Sequence, residues 1–122
     1  MKILLVEDDK FFQLFYANKL REKNLEVEVA TDGEDGLAKM RQVKPDMVLL
    51  DIIMPKKDGF EVLKEVAKDE SLKTIPIIVF STLGQEEDVK KALSLGARDY
   101  ISKTFFDFEK LYQKIYFYLP KG

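Results

Sequence analysis

The chain has 122 residues, 46% of them hydrophobic, with 20 Lys and Arg against 22 Asp and Glu for a formal net charge of -2. That is enough apolar material for one core, which excludes disorder, and there is no basic excess of the kind a nucleic-acid footprint needs. The absence of Cys and His removes disulfides, thiolate and imidazole metal sites and the commonest general base, so chemistry must run on carboxylates, hydroxyls and lysines.

The first predicted element is a strand over 2–6, KILLV, followed at once by Glu7, Asp8 and Asp9. Like charges this close resist burial, so their position needs a reason. A helix is expected over 10–23, capped by Asp9, with Phe11, Leu14, Phe15 and Leu20 as its apolar stripe. The strand at 25–30 alternates apolar and acidic residues from Leu25 to Val29, the pattern of an edge strand or one covered on a single face. Thr31 and Asp32 then read as caps for a helix over 34–42 carrying Leu37 and Met40. A third strand, 46–50, is continuously apolar after Asp46 and ends at Asp51; Met54-Pro55 and Asp58-Gly59 mark a turn into a helix over 59–68, with Phe60, Val62, Leu63 and Val66. The fourth strand, 75–80, runs into Ser81 and Thr82. The helix after it, 85–95, carries Val89, Leu93 and Leu95 and stops at Gly96, a C-cap signal. The last strand, 99–102, ends at Ser102 and Lys103, and the last helix, 106–118, carries Phe108, Leu111, Tyr112 and Ile115, with Leu119 extending the stripe.

This alternation predicts an α/β fold: a doubly wound (βα)₅ three-layer sandwich over 1–122, one domain with a parallel five-stranded sheet and right-handed crossovers. No apolar run approaches the roughly 18 residues of a membrane span, and the N-terminus lacks a signal-peptide pattern. A cytoplasmic location is expected.

Ligands of open α/β sheets bind beyond the carboxyl ends of the strands. Four of the five strands deliver polar groups there: Glu7 and Asp8, Asp51, Ser81, and Lys103. Each alone has an ordinary reading as a turn former, a cap or a solvated lysine. Together they make an all-oxygen cluster with one ammonium, a set that suits Mg²⁺ and offers a carboxylate beside the cation that could attack phosphorus. The hydroxyl and the lysine would hold the phosphoryl oxygens.

Five stretches, ILLVEDD (3–9), DGEDGL (32–37), PDMVLLDIIMPKKDGFEVL (45–63), IPIIVFST (75–82) and GARDYISK (96–103), give the chain its resemblance to the receiver domains of bacterial two-component response regulators. The resemblance implies a flavodoxin-like sheet in the order 2-1-3-4-5. It implies that Asp51 accepts a phosphoryl group from the phosphohistidine of a sensor histidine kinase or phosphotransfer domain, in a Mg²⁺-dependent reaction. Asp8, Asp51, Glu7 (often through water) and the backbone carbonyl of Ile53 would bind the metal, Ser81 and Lys103 would bind the phosphoryl group, and Tyr100 would couple Ser81 to the face made by the fourth helix, fifth strand and fifth helix. Such a domain is a switch and not a turnover enzyme. It has no direct nucleic-acid or membrane contact, it acts on an output protein that the sequence does not identify, and that last face is a possible homodimer surface. The chain would be a stand-alone receiver or part of a longer regulator.

Four features depart from or elaborate the family pattern. Thr104 stands where proline usually follows the lysine, so the Lys103–Thr104 bond is expected to be trans. Thr82 is larger than the alanine or glycine common there. Ile53 and Leu83 are apolar and cannot orient a water, which predicts slow loss of the phosphoryl group. Eight of the fourteen Phe and Tyr lie from residue 100 onward; they either cover loops within the domain or, through Tyr116 and Phe117, form a partner surface. Phe12 and Tyr16 are a smaller surplus on the first helix. Three other functions fit the sequence less well. A receiver that works without phosphorylation is disfavoured by intact Asp8, Asp51, Ser81 and Lys103. An aspartyl phosphohydrolase would usually have its nucleophile after the first strand and a cap domain. A flavodoxin would need a Ser/Thr/Gly-rich phosphate loop where this chain has VEDDK.

Overall fold

The computed structural model describes residues 1–103 and 107–120. Its elements alternate along the chain: β1 (Lys2–Val6), α1 (Lys10–Arg21), β2 (Glu26–Ala30), α2 (Gly33–Val43), β3 (Met47–Leu50), α3 (Gly59–Lys68), β4 (Ile77–Ser81), α4 (Glu86–Ser94), β5 (Asp99–Ser102) and α5 (Phe108–Tyr118). The five strands form one parallel sheet in the order β2-β1-β3-β4-β5. The edge position of β2 accounts for its alternating acids, Glu26 and Glu28, both of which are exposed. Period-two alternation along β1 sends Leu4 and Val6 to a core under α2, α3 and α4. It sends Ile3 and Leu5 to a second core under α1 and α5. The register pairs Val6 with both Ala30 and Leu50, and Ser81 with Ser102, so the strands end along one rim.

Caps decide where the helices start. Asp9 accepts from the N–H groups of Phe11 and Phe12, and Asp32 accepts from that of Asp35. Asp58 and Glu61 form a reciprocal capping box on α3, so the Asp58-Gly59 pair that reads as a turn signal also starts a helix. Gly96 takes φ +110 just past α4, as its C-cap reading requires. The loop between β3 and α3 is pressed onto the start of α2: a Cβ on Gly33 would lie 2.1 Å from the Lys57 carbonyl oxygen. Gly33→Ala is therefore expected to lower stability by about 2–3 kcal/mol in urea unfolding. Gly36→Ala should cost less, because its Cβ would meet only Val6 methyls at 3.0 and 3.1 Å and alanine favours the helix.

Two helix faces differ from the sequence reading. In α1, Leu20 is buried as expected, but Tyr16 and Ala17 are buried beside it, whereas Phe11, Leu14 and Phe15 are exposed. Both sets have helical spacing; packing of the Tyr16 ring edge-on against Phe80 at 4.8 Å selects the first. In α4 the short Ala92 fits against the core and Leu93 points outward. On α5, Leu111 and Ile115 are buried as expected, with Leu119 beyond its end, and Lys114 and Tyr118 tie the helix to Asp99 of β5 at 2.9 and 3.2 Å. Tyr116 and Phe117 remain exposed. The expected trans Lys103–Thr104 bond, the start of the last helix at 106 and the surplus residues Phe105 and Phe106 lie outside the described residues.

Candidate functional site

The hydrogen-bond ladder of the sheet carries the acids into the site. The Glu7 N–H donates to Ala30 O at 3.0 Å and the Asp51 N–H to Val6 O at 3.1 Å, so β1 and β3 end side by side with a carboxyl residue on each. Gln13 on α1 donates its side-chain amide to Glu7 O at 2.5 Å. The Ile52 N–H donates to Asp51 Oδ1 at 2.8 Å, and a Cβ on Gly59 would lie 2.5 Å from the Asp51 carbonyl oxygen. Gly59 thus lets α3 begin directly against the backbone of Asp51, a close approach that the turn reading of the pair did not reveal.

Glu7, Asp8 and Asp51 each offer a carboxylate oxygen, all within 4.8 Å of one another. Asp8 is exposed, whereas Glu7 and Asp51 are buried. The Lys103 ammonium reaches both buried acids, pairing with Glu7 Oε1 and lying 3.4 Å from Asp51 Oδ2, with its own side chain only 5% exposed. Burial pushes the Glu7 carboxyl up to about 7, and the Asp51 charge adds to the shift; the Lys103 ammonium pulls the other way without cancelling it. The pocket is therefore short of positive charge. It fits a hard divalent cation, which prefers oxygen donors and relieves carboxylate repulsion.

The sign of the pH dependence follows. Between about 4.5 and about 7 the folded chain holds on Glu7 a proton that the unfolded chain has released. The charged groups around it are Lys103, Asp51 and Asp8, with the Tyr16 phenol also coupled to it. Metal-free protein is expected to lose stability as pH rises through that window, and Glu7→Gln should flatten the change. Urea unfolding in EDTA at pH 5 and pH 8 measures both.

Ser81 is fully buried at the end of β4, and its Oγ accepts from the Leu83 N–H at 3.3 Å. The Lys103 N–H donates to Ser81 O at 2.9 Å, which brings the lysine backbone beside the serine. The Tyr100 hydroxyl donates to Leu83 O at 2.5 Å, tying β5 to the loop that leaves Ser81. Burial pushes the Tyr100 phenol up, and the Ser81 hydroxyl pulls it back. Ile53 is 54% exposed. A cleft of about 360 Å³ at the opposite end of the sheet is lined by Leu63, Val66, Ile75, Leu95, Lys73 and Arg98 among others, with no carboxylate. The acidic chemistry is therefore at the rim and not in that cleft.

The sequence reading missed two aromatic neighbours of Lys103, namely Phe12, which it counted as surplus, and Phe80, which it read only as strand core. The lysine Nζ lies 4.8 Å from the Phe12 ring centre and 5.3 Å from that of Phe80. No periodicity pairs positions 12, 80 and 103; the one available signal was that Phe80 directly precedes Ser81.

Among the described residues no helix is long and apolar enough to cross a membrane. The family model described as "Response regulator receiver domain" matches residues 3–116. The chain is 39% identical over 107 residues to the chemotaxis protein CheY of Listeria monocytogenes, covering 86% of this chain and 87% of that protein. It is 33% identical over 114 residues to the DNA-binding dual master transcriptional regulator RpaA of Synechocystis, covering 93% of this chain but 47% of RpaA. It thus spans about half the length of that regulator, and 40% of the probable transcriptional regulator ycf27 of Guillardia theta. In structure it is similar to the BeF3-activated N-terminal receiver domain of RstA from Klebsiella pneumoniae, with a TM-score of 0.92, 29% identity, and coverage of 99% of this chain and 100% of that one. The 2-1-3-4-5 sheet and the acids at its rim agree with these matches, and the chain belongs to the receiver domain family of two-component response regulators, the phosphoacceptor switches of that signalling system.

Proposed function

We propose that Asp51 is the phosphoacceptor of this receiver. The observation that carries the reading is the convergence of Glu7, Asp8, Asp51 and Lys103 on one pocket. One oxygen of the Asp51 carboxylate attacks the phosphorus of a phosphohistidine; the new P–O bond forms as the P–N bond breaks, and the imidazole nitrogen leaves with the electron pair. Glu7, Asp8, Asp51 and the carbonyl of Ile53 would hold Mg²⁺, whose chemistry is to neutralise the acids and the incoming phosphoryl charge. Lys103 binds one phosphoryl oxygen and Ser81 another. The phosphoryl group carries roughly -1.5 to -2 charge in place of the single charge of the Asp51 carboxylate, where Glu7 is already short of counter-charge.

The signal leaves through Ser81. Its hydroxyl turns from the Leu83 N–H to the phosphoryl group, and Tyr100, which grips Leu83 O, carries the change to the face of α4, β5 and α5. That face would meet the output partner or a second copy of the chain. The domain works as a cytoplasmic switch: a sensor kinase or phosphotransfer domain is its donor, and turnover of a substrate is not its task. Ile53 and Leu83 carry no group that orients an attacking water, so the acyl phosphate is long-lived. Incubation with acetyl phosphate and Mg²⁺, read by intact mass and peptide mapping, tests the reading. One phosphoryl group on Asp51, absent with EDTA, is the expected result; a group on another residue, or none, overturns it.

A further inference from the structure

Lys103 is gripped by rings as well as by acids. Its Nζ lies 4.8 Å from the Phe12 ring centre and 5.3 Å from that of Phe80, both inside the roughly 6 Å over which an aromatic face attracts a cation. The rings hold one another in place. Phe12 stacks on Tyr16 at 5.7 Å with planes 14° apart, and Tyr16 meets Phe80 edge-on at 4.8 Å and 67°. Tyr16 and Phe80 are buried, and Phe12 sits in the first turn of α1, its N–H bonded to the cap Asp9. The start of α1, the end of β4 and the residue after β5 therefore meet at one ammonium.

Rings and carboxylates respond differently to a metal. A divalent cation among Glu7, Asp8 and Asp51 takes the oxygens that Lys103 uses and repels its charge. The ring faces coordinate no magnesium, and with the lysine side chain 5% exposed their attraction is little screened by water. We infer that Phe12 and Phe80 form an aromatic seat that keeps the Lys103 ammonium in the pocket when the metal draws the acids away. Both are positioning residues that act on phosphoryl uptake through Lys103. The inference rests on the proposed phosphoacceptor role of Asp51.

Phe12 is the residue to change, since it is only partly buried; Phe80 is core. The measured quantity is the rate of phosphoryl uptake from acetyl phosphate with Mg²⁺, with thermal unfolding of each variant alongside. Phe12→Leu is expected to slow uptake about five- to tenfold, and Phe12→Tyr, which keeps the ring, to stay within about twofold of wild type. In a Lys103→Met background Phe12→Leu should cost nothing further, whereas a merely structural role would impose the same loss again. Unchanged uptake in Phe12→Leu, or an equal loss in the Lys103→Met background, overturns the seat. A second arm does not depend on phosphorylation. The Lys103 ε-methylene protons should resonate upfield through ring currents, with and without Mg²⁺, and move back towards ordinary lysine values in Phe12→Leu. Ordinary values in wild type also overturn the seat. Absence of any uptake by wild type would defeat the phosphoacceptor reading instead, with the resonance arm still deciding the seat.

Discussion

Asp51→Asn is expected to take up no phosphoryl group from acetyl phosphate and Mg²⁺, a loss of at least about 10³-fold in rate against wild type. Two effects add. The neutral amide is a far weaker nucleophile than a carboxylate, and the cluster of Glu7, Asp8 and Asp51 loses one of its three charged oxygen donors. The variant should nevertheless fold. The side-chain oxygen that accepts from the Ile52 N–H at 2.8 Å is preserved, and the charge that helps to push Glu7 up is gone. Metal-free Asp51→Asn is therefore expected to unfold at or above the wild-type temperature. Intact mass and thermal unfolding on one preparation read both outcomes. Uptake at the wild-type rate would remove Asp51 from its proposed role.

Lys103→Met should move two properties in opposite directions. The ammonium is held against Glu7 and lies 3.4 Å from Asp51 in a nearly solvent-free pocket, so it competes there with a metal cation. Without it, Mg²⁺ is expected to bind about tenfold more tightly by calorimetry. Phosphoryl uptake is expected to fall about 100-fold, because a fixed charge no longer meets the phosphoryl oxygens as negative charge builds. A lysine that merely supported the fold would weaken metal binding and uptake together. Tighter binding with slower uptake separates the two roles, and methionine keeps most of the side-chain volume between the Phe12 and Phe80 rings.

How far the sequence was legible varies by element. The nearly continuous aliphatic runs of β1, β3 and β4 read directly as strands covered on both faces, and the alternating acids of β2 as an edge. Asp9 and Asp32 read as caps from their position before helical periodicity, and both are caps. The convergence of Glu7, Asp8 and Asp51 was legible because they directly follow strands whose ends a parallel sheet must align. The inward face of α1 was not legible. Phe11, Leu14 and Phe15 share a stripe as regular as that of Phe12, Tyr16 and Leu20, and periodicity cannot choose between two apolar stripes. The choice is made by Phe80, which lies far along the chain. In α4, similarly, Ala92 is buried in place of Leu93, because room beneath the helix and not hydrophobicity sets which side chain fits.

The sequence by itself determined the alternation of strands and helices, their caps, and which strand ends carry acid, hydroxyl or amine, since these depend on near neighbours and on period. Only the tertiary structure decided that the Lys103 ammonium would sit between the Glu7 and Asp51 carboxylates and the faces of Phe12 and Phe80. Those positions lie far apart along the chain, and contacts between them arise from the register of β1, β3, β4 and β5 and the seating of α1, which no local pattern encodes.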